Sequence, residues 1–181
     1  MSERRDSGNA LPDAWSIPGI IARITKHPWL RRQALSWFIS LDAFFHPTLL
    51  GQPMNRAEIG LLGEILGARW LHCQNRKILY RNYRGSRRGE VDIVARHGET
   101  LTFIEVKTRT SRGFGRPADA VNPDKQRLIQ RGALDWLRLL GKPKIPHRFD
   151  ILEVLLVPGE PPHLHIIENA FTLPDSALSG R

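Results

Sequence analysis

Cysteine is nearly missing from this chain, since Cys73 stands alone among 181 residues. A single thiol excludes an intramolecular disulfide and a cysteine-based zinc site, and it suits a reducing compartment. Its own simplest role is that of a small apolar residue at a helix end. Long apolar runs are also lacking. Between Trp15 and Leu50, where aromatic and aliphatic residues are densest, Pro28, Arg31, Arg32, Asp42 and Pro47 break the pattern before it reaches the ~20 residues of a membrane span. The first ten residues, MSERRDSGNA, carry no secretory apolar stretch, so the expected location is the cytoplasm. Acid is scarce as well. Lys and Arg number 27 against 18 Asp and Glu, a net charge of +9, which favours a polyanionic partner over an acidic one.

What the chain does have is GEVDIVARHGETLTFIEVKTR, residues 89–109. β-branched and apolar residues fill both halves around His97-Gly98, the pattern of a β-hairpin with its turn at those two residues. With that turn, or a four-residue loop over 96–99, Ala95 pairs with Thr100 and Asp92 lies opposite Phe103. Asp92 then shares a face with Phe103, Glu105 and Lys107, and its diagonal neighbour Glu105 is about 7–8 Å away. Val91, Ile93, Ala95, Ile104 and Val106 take the other face. Neither face is polar enough for water, so helices are expected on both sides of the sheet. Two readings of the charges are open. Asp92 and Glu105 can converge on a hard divalent cation such as Mg²⁺, or one of them is neutralised by Lys107 as a structural ion pair.

Taken in order, residues 1–50 read as an extension with a disordered start followed by short amphipathic helices, in which Leu35, Phe38, Leu41 and Phe45 recur at helical spacing. These helices would pack on the main domain, on a partner or on a membrane surface. Residues 51–173 form an α/β domain, and 174–181 a disordered tail. Asn55 and Glu58 make a capping box that starts a helix to about His72, with Ile59, Leu62, Leu66 and Trp70 as its buried stripe. Glu64 lies on a second stripe among Ala57, Gly60, Gly67 and Ala68. That small-residue face either approaches another backbone and aims Glu64 at the hairpin, or leaves it as an exposed helical residue.

A first strand is expected over 77–83. The basic residues Arg76, Lys77, Arg81, Arg84, Arg87 and Arg88 are interleaved there with Tyr80 and Tyr83, a composition equally suited to tracking phosphates and to a solvated loop. Arg112 and Arg116 sit with Gly113 and Gly115 in a loop beside Lys107, placed to clamp a substrate. Asn122 and Pro123 then open a helix lined by Leu128, Ile129, Ala133, Trp136, Leu137 and Leu140 and stopped by Gly141. A buried strand follows at 148–157, and a turn at PGEPP leads into a last short strand near 163–167. His163 and His165 share a face there, but no third metal ligand accompanies them.

The order of an acid, about a dozen residues, then Glu-x-Lys resembles the PD-(D/E)XK, or restriction-endonuclease-like, superfamily. GEVDIVA, FIEVKTR, RFD and NAF together resemble more narrowly the YraN-like family of small bacterial predicted nucleases related to archaeal Holliday junction resolvases. The likeness runs from about Gly60 to Phe171. It implies an α/β restriction-endonuclease-like αβββαβ core, a central mixed sheet flanked by helices. It also implies Mg²⁺, or Mn²⁺ in its place, on Asp92, Glu105 and the Val106 carbonyl. By the same resemblance Glu64 would be a further active-site acid, with Lys125 and Gln126 close by unless they are simply a solvated helix start, while Lys107, two residues after Glu105 on the same side, would position the attacking water or stabilise the pentavalent charge. Arg81, Arg84, Arg87, Arg88, Arg109, Arg112, Arg116 and Lys125 would contact nucleic acid, DNA rather than RNA, and a homodimer would suit symmetric junctions. The expected activity is metal-dependent phosphodiester cleavage in DNA, branched or single-stranded. The alternative is a catalytically silent nuclease-fold protein that binds or scaffolds nucleic acid.

Overall fold

Asn55 and Glu58 exchange hydrogen bonds at the start of the longest helix. Asn55 Oδ1 accepts the Glu58 amide at 3.0 Å and Glu58 Oε2 accepts the Asn55 amide at 2.9 Å, which satisfies two donors that a helix start leaves open. The computed structural model describes residues 44–49, 52–112, 121–141 and 144–173. A two-residue pair, β1 (Thr48–Leu49) with β2 (Gln52–Pro53), precedes helix α1 (Arg56–Cys73). Strands β3 (Lys77–Arg84), β4 (Glu90–His97) and β5 (Thr100–Arg109) follow, then α2 (Pro123–Leu139), β6 (His147–Leu155) and β7 (His163–Phe171). The five long strands form one mixed sheet in the order β3-β4-β5-β6-β7, with only β5 and β6 parallel. That parallel pair needs a crossover, and α2 supplies it. The expected αβββαβ core is present, with β7 added at the far edge.

The helices cover opposite faces. Leu62, Leu66 and Leu71 of α1 pack on Ile93, Ala95, Ile104, Val106, Leu152 and Val154. Ile129 and Ala133 of α2 pack on Val94, Leu101, Phe103, Phe149 and Ile151. Phe45 and Leu49, from the end of the expected extension, are buried in the α1-side core, and Phe45 exchanges backbone hydrogen bonds with Gly159 and Glu160. The remaining helices expected before residue 44, the tail from 174 and most of the glycine loop lie outside the described residues. No helix among the described residues is long and apolar enough to cross a membrane.

Several details differ from expectation. The turn is centred one residue later, at Gly98-Glu99, because His97 pairs with Thr100 and Gly98 takes the left-handed backbone, φ +58°. That conformation is free for glycine and strained for histidine. Ile93 therefore pairs with Ile104 and Val94 with Phe103, a displacement of two residues that leaves every face assignment of the paired segment intact. Val91 is the exception. It joins the α2-side core, whereas Ile93 faces α1, because regular alternation fails between them, beside Asn82 of the neighbouring strand at φ +55°. On α1 the stripe is rotated: Ile65 and Leu71 are buried with Leu62 and Leu66, while Ile59 and Trp70 are only partly covered. Leu140 is half exposed, and Asp135 is buried on α2 instead. Cys73 is exposed at the end of α1.

The RFD and NAF blocks serve the fold. Asp150 is fully buried and accepts Arg76 at 3.1 Å, Arg148 Nε at 3.0 Å and the Asn169 amide at 2.9 Å. Phe149 stacks between Phe103 and Phe171, with ring centroids 5.6 and 4.9 Å away. Arg76, which the sequence groups with the surface cations, is only 4% exposed and belongs to this structural network.

Candidate active site

Pairing between β4 and β5 runs from the turn to Ile93 and Ile104, and the same register continued places Asp92 beside Glu105. There the ladder changes character. The amide of Val106 donates to Asp92 Oδ2 at 2.8 Å, so a side chain of β4 takes the place of its backbone as acceptor. This fixes the Asp92 carboxylate over the backbone joining Glu105 to Val106.

Glu105 is 2% exposed. Its Oε1 receives Lys107 Nζ at 2.8 Å and Lys125 Nζ at 3.2 Å, while Oε2 is buried and has no hydrogen-bond partner among the described residues. A buried carboxylate oxygen without a donor is costly. Asp92, half-buried at its side, is pushed up from 3.8 to about 7, first by desolvation, then by the negative charges of Glu105 and Glu64, against the opposing Val106 hydrogen bond and Lys125. Two carboxylates so placed repel, and each relieves the other only by holding a proton or sharing a cation.

Lys125 enters from the first turn of α2, where Asn122 Oδ1 caps its amide at 2.9 Å. Its ammonium bridges Glu105 and Glu90, and Arg84 pairs with Glu90 from the other side. The site is thus a chain of alternating charge from β3 to β5. Gln126 turns away: its Nε2 donates to the Val121 carbonyl at 3.0 Å and braces the start of α2.

Glu64 approaches from α1. A Cβ built on Gly63 would lie 1.9 Å from Thr108 Oγ1 and 2.9 Å from its Cβ, so α1 comes this near to β5 only with glycine there, whereas one on Gly67 would meet only the movable end of Leu152, 2.6 Å from its Cδ2. Gly60, by contrast, meets nothing within 4 Å. It is flanked by two clefts of about 600 and 640 Å³, both of which also reach Glu64. The first is lined by Arg56, Val106, Thr108 and Arg109, the second by Asn82 and Arg84. Glu64 is half-buried between them.

Arg81, Arg84, Arg87 and Arg88 are all exposed on β3 and the turn after it. The turn itself is held by Asp135 of α2, whose Oδ2 accepts the Arg87 amide at 3.2 Å and Ser86 Oγ at 3.3 Å. Arg109 is half-buried on the first cleft, Arg112 pairs with Glu160 at the surface, and Arg116 lies outside the described residues. His163 and His165 are exposed on β7. Among the described residues no three His, Cys, Asp or Glu side chains converge closely enough to hold a metal ion by themselves.

Glu90 and Arg56 were not singled out by the sequence. Glu90 precedes Asp92 by two residues on one strand, a spacing that does signal it. Arg56 is a cation in the first turn of α1, unfavourable to the helix dipole, and that mismatch is the corresponding sign.

The model of Uncharacterised protein family UPF0102 matches residues 63–154, a span that includes Glu64, Asp92, Glu105, Lys107 and Lys125. A UPF0102 protein of Geobacter sulfurreducens is 45% identical over 115 residues, 64% of this chain and 89% of its own length. One from Rhodococcus jostii is 42% identical over 113 residues, 62% of this chain and 95% of its own. One from Caldicellulosiruptor saccharolyticus is 40% identical over 119 residues, 65% of this chain and all of its own.

Proposed function

Because the chain belongs to UPF0102, the uncharacterised YraN family, its activity has to be argued from the site, and we propose a metal-dependent endonuclease acting on DNA. The observation that carries this reading is the buried Oε2 of Glu105, without a partner among the described residues, beside Asp92, whose proton affinity is raised by the same crowding. An orphaned oxygen in a cluster of acids fits a cation ligand. Asp92, Glu105 and the Val106 carbonyl would hold Mg²⁺ or Mn²⁺, with water filling the remaining positions as hard cations prefer. When bound, such an ion polarises the scissile phosphate and lowers the pKa of a water.

The protein's own groups do the rest. Lys107, 27% exposed and 2.8 Å from Glu105, has an ammonium available to a phosphate oxygen as negative charge builds there. Lys125 holds Glu105 and Glu90 in place and limits the repulsion that a substrate phosphate would feel. Glu64 faces the clefts through which a strand would approach, placed to orient the attacking water. The exposed arginines of β3 supply sequence-independent attraction for the backbone.

A second reading has its own observation. Lys107 and Lys125 already neutralise Glu105, so the cluster can exist as a structural ion network in a protein that only binds nucleic acid. Labelled duplex, single-stranded and junction DNA, with matching RNA, incubated across Mg²⁺ and Mn²⁺ concentrations, separate the two. The nuclease reading expects cleavage that Asp92→Asn and Glu105→Gln each reduce at least a hundredfold while affinity persists. Cleavage that survives both substitutions, or none by the wild type on any substrate, refutes it.

A further inference from the structure

β3 is an edge strand, yet it is unsuited to pairing with another strand. Its register shifts between Ile78 and Tyr80, and Asn82 adopts the left-handed backbone at φ +55°, so its outer row of amides and carbonyls is uneven. The same irregularity turns Tyr80 and Tyr83 to one side, opposite Val94 and Val91 of the α2-side core. There they meet Trp136. Ring centroids are 5.9 Å apart for Tyr80 and Tyr83, 5.5 Å for Tyr80 and Trp136, and 5.1 Å for Tyr83 and Trp136, with the tyrosines edge-on to one another. Tyr80 nonetheless keeps 50% of its surface exposed. It is an aromatic ring held against two others with half of its surface still open to solvent.

Its surroundings are cationic. Arg81, Arg84, Arg87 and Arg88 stand exposed along the same strand and turn, and Arg84 leads by its pair with Glu90 into the acidic site. Two copies of this surface would bring arginines against arginines, which disfavours self-association. A polyanion carrying flat apolar groups matches both features.

We propose that the Tyr80–Tyr83–Trp136 cluster is a stacking platform for unpaired nucleobases, so that the substrate is a nucleic acid with a single-stranded segment. This rests on the nuclease reading for what happens to the strand, but not for its binding. Stacking needs only a π-face and so accepts every base, while the arginines follow the phosphates. The bracing rings hold Tyr80 in position before the strand arrives, which reduces what must be ordered on binding.

The test is binding of labelled single strands of about 16 nucleotides measured by fluorescence anisotropy in EDTA, which prevents metal-dependent cleavage. A base-bearing strand is compared with an abasic strand of equal length and charge. The wild type should prefer the base-bearing strand by roughly tenfold, the order that stacking of one base contributes. Tyr80→Ala should remove that preference without altering abasic affinity, and Tyr80→Phe should retain it. Equal affinity of the wild type for both strands, or an undiminished preference in Tyr80→Ala, overturns the platform while leaving the nuclease reading standing. Loss of cleavage in Asp92→Asn with the preference intact bears on the acidic site and supports both. Absence of any single-strand binding overturns the platform and leaves the nuclease reading, which also admits duplex and junction substrates, to its own cleavage assay. A change of oligomeric state in Tyr80→Ala, seen by light scattering, would assign the surface to a second copy and also overturn the platform.

Discussion

Replacing Asp92 by Asn removes a charge while keeping the side chain's shape and an oxygen to accept the Val106 amide. In the metal-free folded protein Asp92 keeps its proton up to about pH 7, against 3.8 ordinarily. The folded state therefore binds more protons than the unfolded chain between those values. The associated stability is fully present below pH ~4 and is lost as pH rises through ~7. The gap from 3.8 to about 7 sets a ceiling of about 4 kcal/mol at 1.36 kcal/mol per pH unit. Residual hydration of the partly buried carboxylate reduces the expectation to about 2 kcal/mol. In EDTA at pH 8, Asp92→Asn should thus be the more stable protein, by a melting-temperature increase of roughly 5–8 °C for a domain of this size. At pH 4 the two proteins should melt together. Thermal melts followed by circular dichroism across that range decide it. If Asp92→Asn is no more stable than wild type at pH 8, or if its advantage is the same at pH 4, the carboxylates are not crowded and the main support for a cation site disappears.

Lys125→Gln removes a charge that lowers the Asp92 pKa, so the pH at which wild-type stability is lost should move upward; an unmoved midpoint would separate Lys125 from the site. Gly89→Ala should destabilise by about 3 kcal/mol or more in urea titrations, because a Cβ there lies 2.2 Å from the Gly132 amide nitrogen and meets α2 backbone rather than a movable side chain. Gly60→Ala, with nothing within 4 Å, should instead stabilise by about 0.5–1 kcal/mol through helix propensity. Asp150→Ala takes from buried Arg76 its 3.1 Å partner and leaves Glu168 as its remaining carboxylate, so it should cost about 2–3 kcal/mol in the same titration, with no direct effect on metal-dependent cleavage measured well below the melting temperature.

Local rules carried much of this protein. Alternation with a period of two put Glu105 and Lys107 on one side of β5, the Asn55–Glu58 box and the Asn122–Pro123 pair set the helix starts, and covered apolar strands demanded helices on both faces. Asp92 kept its place near Glu105 although the turn slipped by one position, because moving the centre of a hairpin by one residue changes pairing by two and preserves sidedness. Other features had no local signal. Lys125 meets Glu105 and Glu90 only because α2, which crosses from β5 to β6, packs its first turn beside β4 and β5. Val91 leaves the face of Ile93 because the ladder loosens at Asn82 and Asp92, and Arg76 goes inward because Asp150 waits 74 positions later. Periodicity and caps are properties of neighbours along the chain, whereas charge pairing, close helix approach and the splaying of strands depend on segments whose meeting is a property of the folded whole.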